Sequence, residues 1–124
     1  MSRLAETFAR AKDEGRVATG MFLTAGFPTL AETPALAKAL VDGGADFLEI
    51  GVPFSDPLAE GPTIQRSSFV ALTGGTTPKD CIEVVRTLRS EGVAAPILLM
   101  GYLNPIMSYT EAAFARDAAA AGAD

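Results

Sequence analysis

The stretch Asp46-Phe47-Leu48-Glu49-Ile50-Gly51-Val52-Pro53-Phe54-Ser55-Asp56-Pro57-Leu58-Ala59-Glu60-Gly61-Pro62-Thr63-Ile64-Gln65 decides how the chain is read. From Asp46 to Val52 it has the period of a strand. Leu48, Ile50 and Val52 fall on one face, and Phe47, Glu49 and Gly51 on the other. A strand apolar on both sides belongs in a parallel sheet, which places the Glu49 carboxylate on a buried strand. The connection that follows, Pro53 to Pro62, is long, since a strand-to-helix loop usually takes about two to six residues. It carries two acids, Asp56 and Glu60, and prolines that restrict its backbone. The expected object is a semi-rigid flap able to cover an apolar ligand.

Working outward, strand and helix signals alternate. Met1 to Arg16 places Leu4, Phe8 and Ala11 at helical spacing among charges, which predicts an amphipathic helix. Ala18 to Gly26 holds the short apolar run Met21, Phe22, Leu23, a first strand closed by Gly26 and Pro28. Thr29 with Glu32, and Thr33-Pro34, signal a helix start; Leu36, Leu40 and Val41 form its buried face and Gly43-Gly44 its end. Beyond the flap a helix runs from Thr63 to Leu72 and breaks at Gly74-Gly75. Thr77-Pro78 starts another, with Asp80 at the capping-box position and Cys81, Val84, Val85 and Leu88 as its stripe, ending at Gly92. Pro96 to Gly101 is the third strand, and Thr110 is expected to cap an Ala-rich helix that stops at Gly122. Gly44-Ala45-Asp46 and Gly122-Ala123-Asp124 repeat the passage from helix to strand, so a fourth strand is expected to start where the chain stops. Strands alternating with helices predict a parallel sheet, and three strands with bare edges are expected to need partners.

Composition narrows the chemistry. The chain has 124 residues, of which 48% are hydrophobic, enough to bury a core. A net charge of −5 with scattered Lys and Arg argues against a nucleic-acid surface. No apolar run approaches the roughly 18 residues of a membrane span, and the charged start lacks the apolar stretch of a signal peptide, so the cytoplasm is the expected compartment. The single cysteine, Cys81, excludes an internal disulfide and a cysteine-based metal cluster, and is read as helix packing; no metal site is expected. There is no His at all, so acid/base chemistry falls to carboxylates, Tyr or Lys.

In parallel α/β folds ligands gather at the C-terminal ends of the strands. Three stretches bring unusual residues there: Thr24-Ala25-Gly26, Glu49 with its flap, and Tyr102-Leu103-Asn104-Pro105. From pattern alone Glu49 is open between catalysis and a buried ion pair with an Arg or Lys. Asp56 and Glu60 read equally as solvated loop acids, Phe22 and Met100 as core, and Asn104 as a turn residue. Gly74-Gly75 lacks the surroundings of a phosphate loop and is a helix break.

Leu48 to Ala59 followed by Gly61-Pro62-Thr63-Ile64-Gln65 closely resembles the signature of tryptophan synthase α subunits. Phe22-Leu23-Thr24-Ala25-Gly26-Phe27-Pro28 and Leu99-Met100-Gly101-Tyr102-Leu103-Asn104-Pro105 resemble that family's first and third strand ends. The resemblance implies an α/β fold, the N-terminal portion of a TIM (β/α)8 barrel, with about three βα units preceded by an N-terminal helix. Residues 1–124 would form one partial domain, about half the family's length. It implies a lyase of tryptophan biosynthesis that cleaves indole-3-glycerol phosphate to indole and glyceraldehyde 3-phosphate without a cofactor of its own. Breaking that carbon–carbon bond requires C3 of the indole to take a proton from a positioned acid kept out of bulk water, and Glu49 aligns with the family's catalytic Glu. A carboxylate in the flap polarises the indole N–H as charge develops on the ring. Glu60 stands at that position where the family has Asp; the extra methylene moves the carboxylate by roughly 1 Å, a displacement that can cost about 10²-fold in rate.

By the same carry-over Phe22, Met100 and Tyr102 line the indole pocket, an aromatic and polarisable set that suits a flat ring. Asp56, Pro57 and Asn104 fall where family members dock the β subunit of an α2β2 heterotetramer, and pyridoxal phosphate belongs to that partner. The family's phosphate-binding loops follow its seventh and eighth strands, beyond residue 124. The alternatives are a non-catalytic part-barrel that self-associates or docks a β subunit, and a different phosphate-sugar barrel enzyme such as an epimerase or aldolase.

Overall fold

The computed structural model describes residues 2–124, so Met1, the expected start of the first helix, lies outside the described residues. In chain order the elements are α1 (Arg3–Asp13), β1 (Gly20–Thr24), α2 (Thr33–Asp42), β2 (Phe47–Gly51), α3 (Pro62–Thr73), α4 (Pro78–Ser90), β3 (Ile97–Met100), α5 (Leu103–Tyr109) and α6 (Glu111–Ala121). The three strands form one parallel sheet in the order β1-β2-β3. Met21, Leu48 and Ile97 are paired across it, as are Phe22, Glu49 and Leu98 one residue further on.

That register gives the sheet two unlike faces. Leu48, Ile50 and Ile97 point to the helix side, where they are fully buried with Ala37 of α2 and with Cys81, Val85 and Leu88 of α4. Burying an aliphatic side chain of this size stabilises by roughly 1.5–3 kcal/mol, so this layer holds the fold together. Phe22, Glu49, Leu98 and Met100 occupy the other face, where no helix covers them and they are only half-buried or exposed. The helices thus lie on one side, as around the outside of a barrel. At the N-terminal end of the sheet α1 folds beneath it, with the Phe8 ring 5.7 Å from that of Phe47.

Local signals set the helix ends. The Thr77 hydroxyl accepts from the Asp80 N–H at 3.3 Å while the Thr77 N–H donates to the Asp80 carboxylate at 2.8 Å, a complete capping box for α4. Thr29 and Glu32 make a similar exchange just ahead of α2, where Thr29 Oγ1 donates to Glu32 and accepts from its N–H. Two expectations are corrected. Asn104-Pro105 does not form a turn but lies in the first turn of α5, where a proline lacking its N–H breaks no helical bond. Thr110 precedes α6 without capping it: its φ is +73°, and its side chain makes no cap bond. A residue at positive φ lacks the extended backbone from which an N-cap hydroxyl reaches the free N–H groups.

The Gly-Ala-Asp repeat has a structural counterpart. Asp46 donates its N–H to Thr19 O at 2.8 Å and accepts the Thr19 N–H on its carboxylate at 2.9 Å. Asp124 makes the same pair with Ile97, at 2.9 Å for each bond. Each Asp is then locked by an arginine. Arg16 grips Asp46 through two bonds of 2.6 and 2.8 Å, and Arg89 reaches Asp124 at 2.7 Å. The Arg16 hydrogen bond, followed by the Thr19 N–H, holds the Asp46 carboxyl down at about 2.

Candidate active site

Four of the sequence-predicted residues meet at the C-terminal end of the sheet. Phe22, Met100, Tyr102 and Glu60 line one pocket of about 220 Å³, together with Gly51 and the flap residue Phe54. Glu49 stands one step down the same face of β2, between Phe22 of β1 and Leu98 of β3, and does not itself line the pocket. Phe22 joins the two. It is the register partner of Glu49, and its ring tip lies where a Cβ at position 51 would meet it at 2.5 Å. Gly51 is therefore required for the Phe22 ring to lie over the strand.

Glu49 is half-buried, and among the described residues its carboxylate has no hydrogen-bond or ion-pair partner. The ion-pair reading of this residue thus finds no Arg or Lys. An acid lodged between a phenyl ring and a leucine, facing the open side of the sheet, is free to exchange a proton with a bound molecule.

Glu60 is held differently. The Tyr102 hydroxyl donates to Glu60 Oε2 and accepts from the Ala59 N–H at 2.7 Å. Gln65 Nε2 donates to the Glu60 carbonyl at 2.8 Å. Burial, then the bond to Glu60, raises the Tyr102 phenol above its ordinary range, because a phenolate there would be poorly hydrated and face a carboxylate. The Tyr102 ring itself packs on Phe54, with centroids 5.3 Å apart.

Of the three residues expected at a partner surface, Asp56 and Asn104 lie outside this pocket. Asp56 is exposed and accepts only from the neighbouring Ser55 hydroxyl, at 2.7 Å. Pro57 borders the pocket from the flap. Asn104 lies in a groove with Pro53 and Ser55, so one side of the flap and the start of α5 form a continuous surface. Sequence reading missed Gly51, Phe54 and Ala59. A glycine inside an apolar strand, on the same face as a lone Glu, was the available signal for Gly51; the Ala59 N–H bond is a backbone contact that no side-chain pattern records. Among the described residues, no set of three or more His, Cys, Asp or Glu is placed to hold a metal ion, and no helix is long and apolar enough to cross a membrane.

Comparison with known proteins bears on the same residues. The family profile described as tryptophan synthase alpha chain matches residues 8–124. The tryptophan synthase alpha chain of Roseiflexus castenholzii is 53% identical over 124 residues, covering 100% of this chain and 48% of that relative. The tryptophan synthase of Saccharomyces cerevisiae is 52% identical over 122 residues, 98% of this chain and 17% of its own. Among solved structures, tryptophan synthase subunit alpha from Legionella pneumophila str. Paris superposes with a TM-score of 0.97 at 43% identity, covering 100% of this chain and 47% of that one. The aminoacrylate-bound form of tryptophan synthase from M. tuberculosis gives 0.93 at 39% identity, covering 99% and 49%. The chain spans about half the length of the curated alpha chains it matches.

Proposed function

Because the chain belongs to the tryptophan synthase alpha chain family and has the fold of the N-terminal part of its TIM barrel, we propose that it supplies the acid/base end of a carbon–carbon lyase acting on indole-3-glycerol phosphate. One observation carries the reading. Glu49, which has no partner among the described residues, and a flap-borne Glu60 face the same open side of the sheet, beside an apolar pocket sized for a flat ring.

In this reading Phe22, Met100 and Tyr102 seat the indole. Glu49 delivers a proton to C3 of the ring, and the nitrogen lone pair takes up the resulting cation. Glu60 accepts the ring N–H as that charge develops. The Glu49 carboxylate so formed takes the proton of the hydroxyl on the side-chain carbon next to C3, that carbon becomes an aldehyde, and the electron pair of the breaking carbon–carbon bond returns to the ring. Indole and glyceraldehyde 3-phosphate leave. No step asks for a cofactor bound to this chain.

Asp56, Pro57 and Asn104, on the flap and the start of α5, are assigned to contact with a β subunit, and any pyridoxal phosphate belongs to that partner. Family membership favours the lyase over a non-catalytic part-barrel. The test is Glu49→Gln in protein that completes the barrel: indole release should fall by about 10²–10⁴-fold, the range of a general acid, and unchanged turnover refutes the assignment.

A further inference from the structure

We propose that Tyr102 is a positioning residue that latches the flap and aims the Glu60 carboxylate at a ring N–H donor in the pocket. This rests on the reading of that pocket as a seat for a flat ring. Tyr102 sits directly after β3, at the N-cap of α5, so its ring is fixed by the sheet and not by the flap. Its hydroxyl takes the Ala59 N–H and gives its own proton to Glu60 Oε2. With Gln65 on the Glu60 carbonyl, both the backbone and the side chain of residue 60 are tied to rigid elements. A phenol has one proton to give, so it satisfies one carboxylate oxygen and leaves Oε1 to accept from a ligand.

The chain holds two tyrosines, Tyr102 and Tyr109, so in protein labelled at tyrosine 13Cζ the Tyr102 resonance is the one lost in Tyr102→Phe. Glu60→Gln is expected to move the Tyr102 titration midpoint downward and leave that of Tyr109 in place. An unmoved Tyr102 midpoint overturns the latch. The second arm compares binding of indole with that of 1-methylindole, the same ring without the N–H. The aimed carboxylate is expected to favour indole by about 10- to 100-fold, the scale of one hydrogen bond to a charged acceptor. Tyr102→Phe, which keeps the ring on Phe54, is expected to cut that preference to within about twofold; a preference that survives it overturns the positioning role. If the phenol responds to Glu60→Gln but neither ring binds, the ring-seat reading fails, and the aiming of Glu60 falls with it while the Tyr102–Glu60 bond stands. Unchanged far-UV circular dichroism separates these results from loss of fold.

Discussion

The two ends of the same three strands treat their carboxylates in opposite ways. At the N-terminal end Asp46 and Asp124 are saturated: each receives a backbone N–H from the neighbouring strand and a guanidinium from a helix or its flank. At the C-terminal end Glu49 has no partner among the described residues, and Glu60 is reached by one phenol. Identical chemistry therefore serves two purposes. A carboxylate whose lone pairs are filled pins strands in register; one left open contributes little to the fold and keeps its oxygens free for a ligand. Strand ends in this sheet divide into a structural floor and a chemical rim.

The sharpest way to break that division is to remove the charge at each end and ask which property suffers. Glu49→Gln should take away most indole release in the completed protein while shifting the unfolding midpoint little, because no interaction in the fold depends on that charge. Arg89→Ala should do the reverse. Arg89 donates to Gly122 O at 2.9 Å, to Val93 O at 2.6 Å and to Ala95 O at 2.7 Å, besides Asp124. Losing these should cost about 2–4 kcal/mol in denaturant unfolding, with the carbonyls and Asp124 left short of donors. A mutant as stable as the parent would mean that the floor is not held by its ion pairs.

A milder test uses pH. The Asp46 carboxyl is held at about 2, below the ordinary aspartate value near 3.8. A depressed native pKa means that the unfolded chain binds protons first. The associated stability is fully present above the unfolded value and is lost as pH falls through the folded one. The chain should lose stability between about pH 4 and pH 2 from this group, and Asp46→Asn should be less stable at neutral pH with a flatter acid limb over that window. Parallel acid limbs for the two proteins would count against the Arg16–Asp46 clamp.

What could be read in advance follows the same division. Burial has a period, so Leu48, Ile50 and the Cys81-to-Leu88 stripe were legible, and with them the parallel sheet and the facing of Glu49. Caps with matched side chains, such as Thr77 with Asp80, were legible for the same reason. The flap was recognisable as long and unusual, and its residues carried the family resemblance. What stayed hidden depends on backbone groups and on the third dimension. The Ala59 N–H bond to Tyr102 has no side-chain signature on the flap. In the sequence Arg16 and Arg89 count only among the scattered cations, because their partners, Asp46 and Asp124, lie 30 and 35 residues away. The pocket gathers Phe22, Glu60 and Tyr102 only once the strands are in register.

The smallest expected effect lies at Thr110, where the rim side of the fold accepts a poor backbone. Thr110 is β-branched and adopts φ +73°, ψ 129°, a combination that suits glycine and crowds a Cβ. Such a residue costs on the order of 1–3 kcal/mol. Its side chain is exposed and makes no cap bond to offset that. Thr110→Gly removes the crowding but adds freedom to the unfolded chain, which costs roughly 0.5–1 kcal/mol. The net gain should be about 1 kcal/mol, seen as a higher denaturant midpoint at unchanged slope. If the gain appears with ring binding intact, the strain merely joins α5 to α6. If stability rises while the Tyr102 resonance shifts and indole binding weakens, the strained turn helps to hold α5, and through it Tyr102, against the flap. The rim would then give up stability to hold its geometry.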